Sequence, residues 1–341
     1  MPFFEPTMTT LISTLTELNS RLGNIDRDAR AQELIDKALA DNPWFTREEI
    51  FRAIGAIREC MLSAPKAEQW LAAYPALTKS HAPKNIGIIM AGNIPLVGFF
   101  DLLCVVASGN RAYIKPSSKD SALMELACRL IEASGATERI YKLQDDTPLD
   151  AIIATGGDSA NLYFQSRYAD LPHLLRGSRH SVAVLSGNES EADLSGLADD
   201  IFLYSGLGCR SVSLVFVPHG SRLCLPPRAM CEGYRHNYRQ TRAMLTMSGT
   251  PFEDNGTALF VRSREAEFPK QLSRINIAEY DDLATVRKWL QENDSRLQCV
   301  ASTVAGLHPR TVPLGRTQYP ELTDYPDNAD VMAFLQSVVG A

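Results

Sequence analysis

Apolar residues near the start of the chain recur at helical steps. Between residues 6 and about 80, Leu11, Leu15, Leu18 and Leu22 fall three or four positions apart and share one face. Thr46-Arg47-Glu48-Glu49 is a capping-box pattern, and it opens the helix-periodic run Ile50-Phe51-Arg52-Ala53-Ile54-Gly55-Ala56-Ile57. These positions predict helices that cover a sheet, with packing as their role.

The period changes at Pro83. Asn85-Ile86-Gly87-Ile88-Ile89-Met90 is a continuous apolar run of strand length, as for a strand buried on both faces. Ala91-Gly92-Asn93-Ile94-Pro95-Leu96 turns the chain into a helix predicted over about 97–108, which Gly109-Asn110 ends. Residues 111–118 predict a strand ending in a turn, and 121–133 a helix. Ala151-Ile152-Ile153-Ala154-Thr155 predicts another strand, running into Gly156-Gly157-Asp158-Ser159-Ala160 and a helix. Ser181-Val182-Ala183-Val184-Leu185 follows as a strand. Strand–helix–strand–helix order predicts an α/β fold with a parallel sheet and right-handed crossovers.

Further on, Gly187-Asn188-Glu189 and the acidic stretch 191–200 read as a linker and an amphipathic helix entering a second domain. The acidic runs 191–193 and 199–200 read as solvated helix faces. Residues 201–315 alternate helix and strand, with Tyr280-Asp281-Asp282-Leu283 opening a helix that ends near Glu292. Residues 313–327, rich in Pro, Tyr, Asp and Thr, predict irregular structure before a last helix over 329–338. No repeat or low-complexity tract is present.

A length of 341 residues suits two domains. The net charge of −6, with no basic cluster interleaved with aromatics, argues against a nucleic-acid partner. The seven cysteines (60, 104, 128, 209, 224, 231 and 299) are odd in number and lack CxxC spacing. That is neither a disulfide framework nor a zinc site, and it fits a reducing cytoplasm. No signal peptide is expected at the N-terminus. The longest apolar stretch, 94–108, is broken by Pro95, Gly98 and Asp101 and falls short of a membrane span.

Chemistry enters at the strand ends. In parallel sheets ligands bind beyond the carboxyl ends of the strands, where Asn93 and Lys115 fall. Asn93 reads as a polar site residue or as a cap for the helix after it, and Lys115 as a ligand contact or a solvated lysine. Gly156-Gly157 reads as a phosphate seat at a helix start, or as a turn that needs glycine for geometry alone. Gly206-Leu207-Gly208-Cys209-Arg210-Ser211 precedes the apolar run Val212-Ser213-Leu214-Val215-Phe216-Val217. Cys209 is a nucleophile whose thiolate Arg210 favours, or a buried structural thiol. His180 reads as a packed or exposed histidine, and Cys104 as core.

In their order, these motifs resemble the aldehyde dehydrogenase superfamily. Gly92-Asn93-Ile94-Pro95-Leu96, Ala107-Ser108-Gly109-Asn110 and Ile114-Lys115-Pro116-Ser117 are similar to its cofactor-domain signature. Thr155-Gly156-Gly157 is similar to its Thr-Gly-Ser turn, and Gly206-Leu207-Gly208-Cys209 to its nucleophile loop. Within the superfamily the chain most resembles the LuxC-like acyl-CoA reductases. It is shorter than a standard aldehyde dehydrogenase and has a helical N-terminal extension. Leu174-Leu175-Arg176-Gly177 stands where hydrolytic members carry the general-base motif Glu-Leu-Gly-Gly; Glu189 and Glu191 are candidates to replace that base.

The resemblance implies an aldehyde-dehydrogenase-like fold, with two parallel-sheet Rossmann-like domains behind the helical extension. The expected organisation is 1–80 as the extension packed on the cofactor domain, 81–187 as the nicotinamide-cofactor-binding domain, 188–315 as the catalytic domain, and 316–341 returning to the cofactor domain. It implies NADPH-dependent reduction of a fatty-acyl thioester to the aldehyde through an acyl-Cys209 intermediate. Asn93 serves as oxyanion donor, and Lys115, Pro116, Ser117, Ser118, Gly156 and Gly157 hold the cofactor, with no metal. Ser118 and Lys119 stand where NAD-specific members often carry an acid, so NADPH is expected over NADH. The implied substrates are acyl-CoA or acyl carrier protein. An acyl-transferring partner protein and a homo-oligomer are also implied, with no nucleic acid or membrane span. Two alternatives stay open: a cysteine acyltransferase or thioesterase without nicotinamide, and a non-catalytic partner subunit on the same fold.

Overall fold

Leu11, Leu15, Leu18 and Leu22 all face inward on one helix, as their spacing predicts. The structure is a computed structural model and describes residues 8–340 apart from Thr78, Ser80 and Arg264. Positions 6, 7, 78 and 80 of the predicted helical stretch therefore lie outside the described residues. The chain divides into two compact units. One comprises the described residues of Met1–Asn42, Arg47–Gly177 and Pro320–Ala341; the other comprises Pro43–Thr46 and Ser178–Tyr319.

The first unit opens with α1 (Met8–Gly23), α2 (Ala29–Asp41), α3 (Arg47–Cys60) and α4 (Ala64–Ala72). It continues through β1 (Asn85–Ile89), α5 (Phe99–Ala107), β2 (Arg111–Lys115), α6 (Ser121–Ala133), β3 (Ile140–Lys142), β4 (Ala151–Thr155), α7 (Asp158–Arg167) and β5 (His173–Arg176). The five strands form one parallel sheet in the order β3-β2-β1-β4-β5. The order reverses between β1 and β4, which makes their carboxyl ends the switch point where such sheets take ligands. The N-terminal helices pack chiefly on α6 rather than on the strands. Arg129 of α6 pairs with Asp28, whose other oxygen caps α2 by accepting from the Ala31 amide at 3.1 Å.

Helix α5 is buried along its whole length, Asp101 included. The side chain of Arg176 on β5 pairs with that carboxylate, and both are almost completely shielded from solvent. Burying two charges is tolerable only when they are paired, so this ion pair ties α5 to the edge strand.

The second unit holds β6 (His180–Val184), α8 (Glu191–Phe202), β7 (Val212–Pro218), α9 (Glu232–Met247), β8 (Glu253–Asp254), β9 (Leu259–Ser263), β10 (Arg274–Tyr280), α10 (Leu283–Glu292), β11 (Leu297–Ser302) and β12 (Thr311–Val312). Its seven-stranded sheet runs β12-β11-β6-β7-β10-β9-β8, parallel except for the antiparallel β8–β9 pair. Val212, Val215 and Val217 of β7 join one core face, and Leu214 and Phe216 the other. That two-sided burial accounts for the continuous apolar run in the sequence. The chain then returns to the first unit with α11 (Val331–Gly340), which packs on α5.

Several details differ from the sequence-based expectation. β6 belongs to the second unit, because it pairs with β7 and β11 and not with β5. Helix α5 begins at Phe99 with Gly98 as its N-cap, so Asn93 does not cap it. The expected solvated acidic faces of α8 are only partly so. Asp193 closes a capping box with Ser190, and Asp200 is buried. His180 stacks on Phe268 with ring centres 4.1 Å apart. Cys104 is fully buried.

Candidate active site

Three turns gather at the carboxyl edge of the first unit's sheet. Ile89 stands in register with Lys115 on one side and Ala154 on the other, so β1, β2 and β4 end at the same level. At or beyond their ends lie Gly92–Leu96, Lys115–Ser118 and Gly156–Gly157, which carry every expected cofactor-binding residue; the remaining stretch of the expected signature, 107–110, ends α5 and leads into the amino end of β2 instead. Lys115, Ser118 and Asn93 are exposed, while Pro116, Ser117 and Gly156 are half-buried. Gly92 is buried against the second turn: a Cβ there would stand 2.5 Å from the Ser117 Cβ and 3.2 Å from the Asp120 Cβ. The backbone of Lys119 accepts a hydrogen bond from the Asn42 side chain at 3.1 Å, which anchors the far end of that turn.

The opening of α7 fits a phosphate. Gly157 is the N-cap residue, carries no capping side chain, is exposed, and has open space where a Cβ would lie. Helix-opening amides that follow a glycine N-cap, with no capping hydrogen bond from that residue, are an anion seat at the positive end of the helix dipole. The exposed Lys115 and Lys119 add positive charge along the same sheet edge.

In the second unit, the loop that carries Cys209, the expected nucleophile, is built on strained backbone. Tyr204, Ser205 and Gly206 are consecutive left-handed residues (φ 54, 54 and 67). Tyr204 and Ser205 are buried, and each costs about 1–2 kcal/mol in this conformation. At Gly206 a side chain would also press on the Ile201 carbonyl, 3.3 Å from its Cβ. The strained segment delivers Leu207-Gly208-Cys209 to the amino end of β7. Cys209 is half-buried. Its carbonyl accepts from the Ser181 hydroxyl at 2.8 Å, and its thiol donates to Oε1 of Gln298 at 3.8 Å.

A strap from the C-terminal part of the unit reaches the same loop. Gln318 donates to the Ser211 hydroxyl at 3.3 Å. Just before it, Asp200 accepts from the amides of Gly315 (2.6 Å) and Thr317 (3.0 Å) and from the Thr317 hydroxyl (2.7 Å). Burial pushes the Asp200 carboxyl up to about 6, against the pull of those three donors.

Of the two acids considered as replacement bases, Glu189 is otherwise engaged. Glu189 accepts from the Ser186 and Gly187 amides and the Ser186 hydroxyl, closing its own turn. Glu191 is exposed in the first turn of α8. At the site of the absent base motif, Arg176 is committed to Asp101.

Sequence reasoning did not find Gln298, Ser181, Asp120, Asp200 or the Tyr204–Ser205 strain. Gln298 alone left a signal, as a polar residue inside an apolar strand pattern. Among the described residues, no cluster of His, Cys, Asp and Glu could hold a metal, and no helix is long and apolar enough to cross a membrane.

Comparison with known proteins bears on the same stretch. A family model described as acyl-CoA reductase (LuxC) matches residues 67–225, which include every site residue expected from the sequence. The long-chain acyl-protein thioester reductase of Aliivibrio fischeri is 26% identical over 170 residues, covering 44% of this chain and 35% of that protein. The match thus spans about a third of the relative's length. Among solved structures, an NAD+ complex of an aldehyde dehydrogenase from Bacillus cereus superposes with a TM-score of 0.61 at 13% identity, covering 88% of this chain and 72% of that one. Aldehyde dehydrogenase 21 from Physcomitrella patens, bound to succinate, gives a TM-score of 0.64 at 11% identity, covering 97% and 84%. The fold is therefore aldehyde-dehydrogenase-like, and the expected resemblance to the LuxC-like reductases holds over the stretch that carries the motifs.

Proposed function

We propose that this chain is a cytoplasmic reductase that converts a fatty-acyl thioester, on CoA or acyl carrier protein, to the aldehyde through an acyl-Cys209 intermediate. The observation that carries the reading is the gathering of three turns on one sheet edge, within the same LuxC-matching stretch as Cys209. The name of the Aliivibrio relative, an acyl-protein thioester reductase, supports the substrate class. An acyl-transferring partner protein and assembly of like chains belong to the same reading.

In the proposed reaction the Cys209 thiolate attacks the acyl carbonyl. A carbon–sulfur bond forms to Cys209, the bond to the carrier sulfur breaks, and the carrier leaves as its thiol after taking a proton from the medium. The Asn93 side-chain amide and the Cys209 backbone N–H donate to the carbonyl oxygen as it gains charge, and one such donor is worth ~3 kcal/mol of barrier. A bound nicotinamide cofactor would supply the hydride to the acyl carbon; the carbon–sulfur bond to Cys209 then breaks, the aldehyde leaves and the Cys209 thiolate is restored. The amides at Gly157 hold its phosphate, with Gly156 and Thr155 forming the turn below. Lys115, Pro116 and Ser117 line the adenosine side, and Ser118 with Lys119 favours the 2′-phosphate of NADPH.

The test is NADPH oxidation with a long-chain acyl-CoA, comparing the intact chain with Cys209→Ala. Oxidation and aldehyde formation that vanish in the variant support the reading. Oxidation that survives overturns Cys209 as acyl acceptor. CoA release without oxidation turns the reading to an acyltransferase.

A further inference from the structure

Gln298 sits in β11, a strand whose six residues are all buried, and is itself 2% exposed. A buried polar group is costly unless it is hydrogen-bonded. This one accepts from the thiol of Cys209 at 3.8 Å. The junction is braced on both sides, since Ser181 Oγ bonds the Cys209 carbonyl and lies 3.2 Å from the sulfur of Cys299, the residue after Gln298. The amide is thus held against the sulfur that would carry the acyl group.

The chemistry of that placement is specific. A carboxylate in contact with an acyl-cysteine can take a proton from water as the water attacks the carbonyl. A neutral amide of the same shape cannot. We propose that Gln298 protects the acyl-Cys209 thioester from hydrolysis, by filling with a proton-inert group the place against the sulfur where a carboxylate would act as general base. The proposal rests on the reading of Cys209 as acyl carrier. It predicts that Gln298→Glu is a thioesterase. Water oxygen bonds to the acyl carbon, the introduced carboxylate takes the water proton, the carbon–sulfur bond breaks, the proton passes to the Cys209 sulfur, and free fatty acid leaves.

The experiment mixes the full chain with decanoyl-CoA and no nicotinamide. It follows the decanoyl adduct by intact-protein mass spectrometry and decanoic acid by chromatography. The intact chain is expected to hold the adduct after releasing one equivalent of CoA. Gln298→Glu is expected to lose the adduct about a hundredfold faster, with decanoic acid as product. Gln298→Ala is expected to stay slow, because removing the amide supplies no base. Gln298→His, which does not depend on accommodating a charge, should hydrolyse faster as pH rises past about 6.5 and its imidazole becomes a base. The proposal is overturned if adducts on the Glu and His variants decay at the rate of the intact chain. It is also overturned if the Ala variant hydrolyses as fast as the Glu variant, which would make exclusion of water by bulk the cause. No adduct on the intact chain, or an adduct on Cys209→Ala, removes the acyl-Cys209 reading and this proposal with it.

Discussion

Gly92 packs on Ser117 so closely that a methyl group on Gly92 would stand 2.5 Å from the Ser117 Cβ and 2.7 Å from its Oγ. The turn carrying Asn93 and the turn carrying Lys115 therefore meet through the one residue type without a side chain. Gly92→Ala should cost about 1–3 kcal/mol by overpacking and weaken NADPH binding. Adding Ser117→Gly, which removes the atoms it strikes, should return part of the stability. Thermal unfolding and cofactor titration of the single and double variants check this. Equal stability of Gly92→Ala and the intact chain would show that the contact relaxes freely.

Cofactor preference is expected to turn on the exposed end of that second turn. Ser118→Glu places a carboxylate where a 2′-phosphate is proposed to lie, repelling it while accepting from a 2′-hydroxyl. The ratio of kcat/KM for NADPH over NADH should fall at least tenfold. An unchanged ratio would take Ser118 out of the cofactor contact.

Asp120 lies beneath the same turn and is 1% exposed. Burial pushes its carboxyl well above the usual range, and the amides of Leu96 and Val97 pull it back only in part. Neither oxygen reaches a partner in hydrogen-bond geometry. A raised acid pKa means that the folded chain keeps a proton which the unfolded chain has lost. The stability contributed is therefore full below about pH 4 and falls as pH rises. Asp120→Asn does not titrate, so it should gain on the intact chain with rising pH and be more stable by about 1–3 kcal/mol at neutrality. Urea unfolding at several pH values tests the trend.

Asp200 has the same sign and a narrower window. Its carboxyl titrates near 6 because burial outweighs its three donors. Against Asp200→Asn, the advantage of the intact chain should be largest below about pH 4. It should narrow by roughly 3 kcal/mol at most between pH 4 and 6, and stay level above 7. The variant also loosens Gly315–Thr317 ahead of the Gln318–Ser211 bond, so iodoacetamide should label Cys209 at a changed rate. A flat difference in stability across pH 4–6 would show that Asp200 is not the titrating group.

The pair Arg176–Asp101 is an all-or-none device. Removing Arg176 alone leaves a buried carboxylate without its partner, and Arg176→Leu should cost about 3–5 kcal/mol. The double change Arg176→Leu with Asp101→Leu should recover much of that loss in chemical unfolding. Recovery below a tenth of the loss would place the cost in packing rather than charge.

Much of this protein is local physics. A strand buried on both faces needs a continuous apolar run, and a strand-to-helix turn needs glycine or proline. For those reasons β1, β4 and β7, with the turns at Asn93, Lys115 and Gly156, were legible within a few residues of sequence, whereas β2, which buries only alternate residues, was legible from its place between Gly109-Asn110 and Pro116, and the Cys209 loop from its glycines. Helix α10 was legible from its polar start, where Asp282 caps it by accepting from the Ala284 amide at 2.9 Å. What tertiary structure decided is the fate of polar residues whose partners are remote in sequence. Asp199 and Asp200 are adjacent acids with one reading between them. Yet the first pairs with Arg228 at 3.1 Å, while the second is buried under Gly315 and Thr317. Arg176 meets Asp101 and Cys209 meets Gln298 across 75 and 89 residues of chain. Periodicity records which face of an element turns inward. It carries no record of what waits there, because that depends on which strands pair and in what register.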